Sequence, residues 1–195
     1  MVKMTLRSSP AKNPDHNSPL KSQGLTQNPS MELCRFTNPD IDRLRPCFPD
    51  DTIFRPFDYS TKSDCASDRW ITFPATPFLI GFTYPFRALT QGFFTLTGLC
   101  YMQAMPMVWR ILYTLEHIVE QEGIDIGMSE LSQLYNLVSH GLHRYLFKSK
   151  PDQPHPILKA TKNDTNWRNQ FFSVRRDSVP DGKLLPKKWN TDGRI

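Results

Sequence analysis

Apolar residues recur with a helical period in three stretches near the centre of the chain. The first stretch predicts a helix over residues 87–101. The second predicts a helix that begins at Pro106, whose missing N–H would be unpaired in the first turn anyway, and ends at Gly123. A third helix is expected to be capped by Ser129 and to end at Gly141. The polar side of the second helix is expected to carry Glu116, Glu120, Gln121 and Glu122.

Beyond Gly141 the apolar period changes from that of a helix to that of a strand. Alternation predicts strands over residues 142–147, 157–161 and 170–175. The third of these is expected to pair with the first. These patterns together predict an α+β fold, in which a small helical core carries a short antiparallel sheet toward the C-terminus.

The N-terminal part of the chain has a different composition. Eight of the 17 prolines fall by Pro56. No apolar periodicity lasts a helical turn before residue 49, so residues 1–51 are predicted to form a disordered tail. Residues 52–85, rich in aromatic residues and prolines, are expected to wrap the helical core as irregular chain. The folded domain is therefore predicted over residues 52–189, with 190–195 as a tail or a truncation point.

Charge and cysteine content bear on the partners and the cellular location of the protein. The net charge is +5 and the pI is about 9.1, which favours anionic partners only weakly. Ser8-Ser9-Pro10 stands where a signal peptide would have its apolar core, so secretion is not expected. The four cysteines form no C-x-x-C unit, which favours a cytoplasmic or nuclear protein with reduced thiols. Polar residues and Pro106 interrupt the apolar run before Trp109, so no membrane span is expected.

Three motifs carry a resemblance to a known family. These are the aromatic entry 81–86 with Phe93-Phe94 and Gly98-Leu99 behind it, the segment Pro106-Met107-Val108-Trp109-Arg110, and the segment 167–174, Trp-Arg-Asn-Gln-Phe-Phe-Ser-Val. Over residues 81–189 the chain resembles the plant gypsy-type transposon domain of hypothetical retrotransposon proteins. Arg168 stands for that family's usual Lys, and Met107-Val108 replaces its small pair. The resemblance implies a mobile-element origin and no reaction.

The residues predict no catalytic or metal site. His140 and His143, with His117 and Cys100 as further candidates, are the nearest approach to a zinc set, but a zinc site needs three or four converging ligands. Glu116 and His117 are helix neighbours, whose side chains point about 100° apart. No phosphate-binding loop, nucleophile motif or integrase-type acidic triad is present. We therefore expect a non-enzymatic protein without cofactor or metal.

Basic and aromatic residues alternate in the last quarter of the chain, as they do in single-strand nucleic-acid binders. The leading hypothesis is nevertheless a protein-interaction or assembly module; a nucleic-acid-binding module and a degenerate copy without function are the alternatives. Protein partners are expected, nucleic acid is the rival partner, and the oligomeric state is left open. The candidate nucleic-acid contacts are Lys159, Lys162, Arg168, Arg175, Arg176, Lys187 and Lys188. The predicted structural anchors are Trp109, Arg110, Trp167, Phe171 and Phe172.

Overall fold

The computed structural model describes residues 36–57, 68–141, 143–151, 165–182 and 185. They belong to one compact unit, Glu32–Ile195. Within the described residues the α-helices are α1 (Asn38–Leu44), α2 (Thr76–Leu79), α3 (Ala88–Thr97), α4 (Pro106–Glu122) and α5 (Met128–Leu134). The strands are β1 (Phe54–Pro56), β2 (Trp70–Pro74), β3 (Tyr135–Ser139), β4 (Tyr145–Ser149) and β5 (Phe171–Arg175). The predicted α+β class is confirmed.

Helix α4 is the predicted second helix and forms the centre of the core. Pro106 is in its first turn, and Gly123 ends it with a left-handed φ of 62°. Its apolar face is buried from Val108 to Leu115, with Trp109 and Leu112 at 0% exposure. The expected polar side is wrong at Glu116, which is 5% exposed. The Glu116 carboxylate accepts the Thr90 N–H at 2.9 Å, so it satisfies an unpaired donor in the first turn of α3.

Helix α5 is shorter than the predicted third helix. The Glu130 carboxylate accepts the Gly127 N–H at 2.9 Å, so the N-cap residue is Gly127 and not Ser129. It ends at Leu134, and the next five residues form β3. The prediction of helix as far as Gly141 is wrong because the positions of Tyr135 and Val138 are compatible with a helix and with a strand. Pairing with β4 favours the strand, in which Tyr135 packs on Phe147 at 5.4 Å between ring centroids.

The three-stranded sheet has β5 at its centre, with β1 and β2 antiparallel on either side. The predicted pairing of β5 with the strand after Gly141 is therefore wrong, since that strand, β4, pairs with β3. Both faces of β5 are covered. Phe172 packs on Phe73 at 5.9 Å, while Phe171 packs on Trp167 at 6.2 Å on the other face. The irregular wrap expected over residues 52–85 thus contains two strands, β1 and β2.

Residues 36–51, which were predicted to belong to a disordered tail, are folded. Helix α1 begins with a reciprocal cap in which the Asp40 carboxylate accepts the Thr37 N–H at 3.0 Å. Ile41 and Leu44 are buried, and Phe36 stacks on Phe172 at 5.9 Å. The prediction of a disordered tail is therefore wrong for residues 36–51. Residues 1–35 and the predicted strand over 157–161 lie outside the described residues.

Aromatic rings fill the core between the sheet and α4. Trp109 contacts Phe94 at 4.9 Å and Phe86 at 5.3 Å, and Phe73 stacks on Tyr101 at 4.8 Å. The prediction that Trp109 and Trp167 are buried is confirmed, at 0% and 6% exposure. Such a core is rigid because rings interlock by shape, and each pair adds about 0.5–1.5 kcal/mol beyond its buried area.

Candidate interaction surface

Three of the predicted nucleic-acid contacts lie in the described residues, and they do not form one basic surface. Arg175 is paired with Asp177 at 2.6 Å. Arg176 is 4% exposed, and its guanidinium donates to the carbonyls of Gly182 and Leu185. Burial lowers the pKa of Arg176. The other candidates, Lys159, Lys162, Lys187 and Lys188, lie outside the described residues.

The aromatic residues of the same segment are buried and not displayed. Phe171 and Phe172 are 1% and 0% exposed, so neither ring can stack on a base. Trp167 is 6% exposed, with the guanidinium of Arg144 4.6 Å above its ring. Arg168 is exposed and lies 6.0 Å from the same ring. The burial of Trp167, Phe171 and Phe172 is what a structural anchor requires, and their role as anchors stays a prediction.

A second aromatic–basic pair lies on the three-stranded sheet and was missed by sequence analysis. The Arg55 guanidinium stacks 4.1 Å above the half-buried ring of Trp70. A cleft of about 500 Å³ beside it is lined by three further arginines together with two carboxylates. Because charges of both signs line it, and Arg175 is paired with Asp177, the cleft is not a uniformly basic surface for a polyanion. Its lining includes Asp68, Arg69, Arg175 and Asp177.

The polar residues around Glu116 line a small cleft of about 90 Å³, with the ion pair Arg87–Glu120, at 2.7 Å, at its side. Burial raises the pKa of Glu116, but its carboxylate is held by the Thr90 N–H. His117 lies flat against Tyr113 at 6.4 Å between ring centroids. Among the described residues no three His, Cys, Asp or Glu side chains come together as metal ligands.

One strand edge of the β3–β4 hairpin has no partner strand among the described residues. The His140 N–H donates to the Arg144 carbonyl at 2.7 Å, and the Lys150 N–H donates to the Leu134 carbonyl at 3.0 Å. With the antiparallel register, these bonds place the even-numbered residues of β3 in the hydrogen-bonded pairs. The N–H and C=O groups of Leu137 and Ser139 therefore point away from β4. We call these four groups the β3 edge.

No hydrogen bond joins the β3 edge to the described part of the chain. The opposite edge of the hairpin is already in use, because the Met105 N–H donates to the outward Tyr145 carbonyl at 2.9 Å. Residues 135–139, Tyr-Asn-Leu-Val-Ser, contain no charge and no proline, and their register is continuous. Three of the features with which proteins protect an edge strand from pairing, a charge, a proline and a bulge, are thus missing from β3.

The two faces of the hairpin differ in burial. Tyr135, Tyr145 and Phe147 are buried against the core on the inner face. On the outer face Val138 lies opposite Leu146, and both are half-buried. A two-stranded hairpin is marginal alone in water, so this one depends on its packed inner face. The inner face thus holds β3 in place against the core.

The segment that forms the β3–β4 hairpin lacks acidic residues. Residues 131–151 contain no Asp or Glu. Their basic side chains are His140, His143, Arg144, Lys148 and Lys150. An anionic strand would be attracted to this hairpin, and a cationic one repelled.

Comparison of the chain with family models, with curated proteins and with solved structures gives no match. None of the helices in the described residues combines the length and apolar character needed to cross a membrane.

Proposed function

We propose that this protein is a non-enzymatic interaction module that takes an extended segment of a partner protein onto β3. The observation that carries the proposal is the β3 edge, where the backbone groups of Leu137 and Ser139 have no hydrogen-bond partner in the described part of the chain. An added strand would extend the hairpin to three strands, which is the size at which small sheets become stable. Main-chain hydrogen bonds would supply affinity, as in other cases of strand addition.

The partner segment is proposed to be acidic. Like charges across an interface cost several kcal/mol, and the charged side chains between residues 131 and 151 are Arg144, Lys148 and Lys150. The side chains that the partner segment places on the outer face would meet Val138. A segment that alternates apolar and acidic residues therefore fits best.

The protein-binding proposal accounts for the basic residues better than nucleic-acid binding does. Arg176 is occupied by backbone carbonyls and Arg175 by Asp177, while Phe171 and Phe172 are in the core. From the motif resemblance alone, we also propose that the chain derives from a mobile element.

A matched pair of proline variants tests the proposal. Ser139→Pro removes an outward N–H from the β3 edge, whereas Ser149→Pro removes an outward N–H from the opposite edge of the same hairpin. The probe is a twelve-residue peptide that alternates Val or Thr with Glu, and its control has Lys in place of Glu. Binding is measured by calorimetry, and pairing by amide hydrogen exchange at Leu137 and Ser139.

We expect the Glu peptide to bind at least about tenfold more tightly than the Lys peptide and to slow exchange at both amides. Ser139→Pro should abolish binding, and Ser149→Pro should retain it. Equal effects of the two variants, or binding without protection of Leu137, would contradict strand addition. Single-stranded RNA and DNA are titrated at two salt concentrations in parallel. Tight binding that falls steeply with salt would favour the nucleic-acid alternative.

A further inference from the structure

A cavity of about 230 Å³ lies beside α3 and shares no residue with the β3 edge. Four aromatic rings form its walls: Tyr84, Phe86, Phe94 and Tyr101. Neighbouring rings meet at close to right angles. Phe86 and Tyr101 are 5.3 Å apart at 82°, and Phe94 and Tyr101 are 4.7 Å apart at 81°. The cavity therefore has flat walls in two directions.

The cavity is large enough for a ring system. A cavity of about 150 Å³ lined by apolar side chains holds benzene, so the larger space here suits a ring pair such as indole. The wall rings are 1–6% exposed and interlock with the rest of the core. They cannot collapse into the space, because stiff rings have few alternative rotamers.

Polar groups converge at the mouth of the cavity. Gln91 and Thr95 lie one helical turn apart on the exposed side of α3. Asp181 faces them from a tight turn in which the Gly182 N–H donates to the Val179 carbonyl at 3.3 Å. Asp181 has a φ of 55°, at a turn position that glycine or asparagine normally takes. Asp181 therefore brings a carboxylate to the lining of the cavity, at a turn position where glycine or asparagine would bring none.

The Tyr84 hydroxyl holds the turn in place by donating to the Pro180 carbonyl at 2.9 Å. Burial raises the pKa of Tyr84 to about 12, so this hydroxyl keeps its proton at neutral pH. Half of the eight residues that line the cavity carry aromatic rings. Because burying an ion among apolar rings costs far more free energy than burying a neutral ring, the cavity favours a neutral ligand.

We propose that this cavity binds a small, neutral, flat aromatic group that carries one N–H or O–H donor, such as indole or a phenol. The ring would lie among the four aromatic walls, with its donor directed to the Asp181 carboxylate. The group is either a free small molecule or the side chain of a tryptophan residue.

Two ligands and one variant test this assignment. Indole and 1-methylindole have the same ring system, but only indole has an N–H. Asp181→Gly removes the acceptor and relieves the left-handed backbone, so the variant is expected to fold as well as the wild type. Affinities are measured by ligand-observed NMR and calorimetry. The site is located from amide shifts at Gln91 and Thr95.

We expect wild-type protein to bind indole about tenfold more tightly than 1-methylindole, since a hydrogen bond to a charged acceptor is of this size. In Asp181→Gly the preference should vanish, while 1-methylindole still binds. N-acetyltryptophanamide then separates the two sources, because only a site open to a tryptophan residue would bind it. No saturable binding of indole to wild type, no shifts at Gln91 and Thr95, or an unchanged preference in Asp181→Gly would each overturn the proposal.

Discussion

Replacement of Trp109 tests whether the aromatic core carries the stability of the fold. Trp109 is 0% exposed and contacts the rings of Phe82, Phe86 and Phe94. Truncating a fully buried tryptophan to alanine costs about 3–5 kcal/mol, because the transfer energy is lost and the rigid neighbours cannot close the cavity. For a chain of this size that corresponds to a fall in Tm of roughly 6–20 °C.

Two further variants show how much of the stability lost in Trp109→Ala comes from lost packing. One controls for the polar indole N–H, and the other controls for the effect of any apolar truncation on a helix. The indole Nε1 of Trp109 is buried and has no hydrogen-bond partner in the described part of the chain. Trp109→Phe removes this unpaired donor, which costs about 1–3 kcal/mol to bury, so the phenylalanine variant should lose half as much stability or less. Leu96 is 60% exposed on α3, so Leu96→Ala should change stability by about 0.5 kcal/mol or less.

Urea unfolding followed by circular dichroism measures all three variants on one scale. We expect the loss of unfolding free energy to rank Trp109→Ala, then Trp109→Phe, then Leu96→Ala. A loss below about 1 kcal/mol for Trp109→Ala would refute the reasoning, since no fully buried anchor can be removed at so small a cost.

Two other substitutions test single contacts. Burial raises the pKa of Glu116 above its ordinary 4.5, so the folded protein holds this proton more tightly than the unfolded chain. The variant Glu116→Gln keeps an oxygen that can accept the Thr90 N–H. As pH rises from 4.5 through the folded-state pKa, the wild type should lose free energy of unfolding relative to this variant. Urea unfolding at several pH values measures the difference, and a gain in wild-type stability over that range would contradict the reasoning. A Cβ on Gly182 would lie 2.0 Å from the Arg176 carbonyl, whereas one on Gly141 meets nothing within 4 Å. Gly182→Ala should therefore lower the Tm more than Gly141→Ala, which opposes only a left-handed backbone at about 1–2 kcal/mol, and equal losses would exclude the close contact.

Local signals in the sequence were sufficient to predict α4. Its apolar face, the proline at its start and the glycine at its end all depend on residues within the helix. The same reasoning misjudged Glu116, because its burial depends on the Thr90 N–H from another helix. The start of α1 has a local signal that was overlooked, since Thr37 and Asp40 have the spacing of a reciprocal cap.

The candidate surface could be predicted only in part. The alternation of apolar and polar residues in β4 was visible in the sequence. Whether a strand edge has a partner depends on which strands the fold brings together, and alternation alone does not show that. The arginine–aromatic pair Arg55–Trp70 joins β1 to β2, and these strands meet only across β5. The aromatic cavity likewise combines α3 with the turn around Asp181, and no spacing in the sequence indicates that approach.

The position of β5 at the centre of its sheet has a consequence for synthesis on the ribosome. Thr72 of β2 meets Ser173 of β5 across 101 positions of chain, at 3.3 Å between their hydroxyl oxygens. At ordinary elongation rates the ribosome needs roughly 5–20 s to add that length. During this interval β1 and β2 have no strand to join them, and the aromatic residues that will face β5 are exposed to other nascent chains. Folding of this sheet is thus necessarily a late event, and a chaperone that shields aromatic segments would act on the first half of the protein before the second half exists.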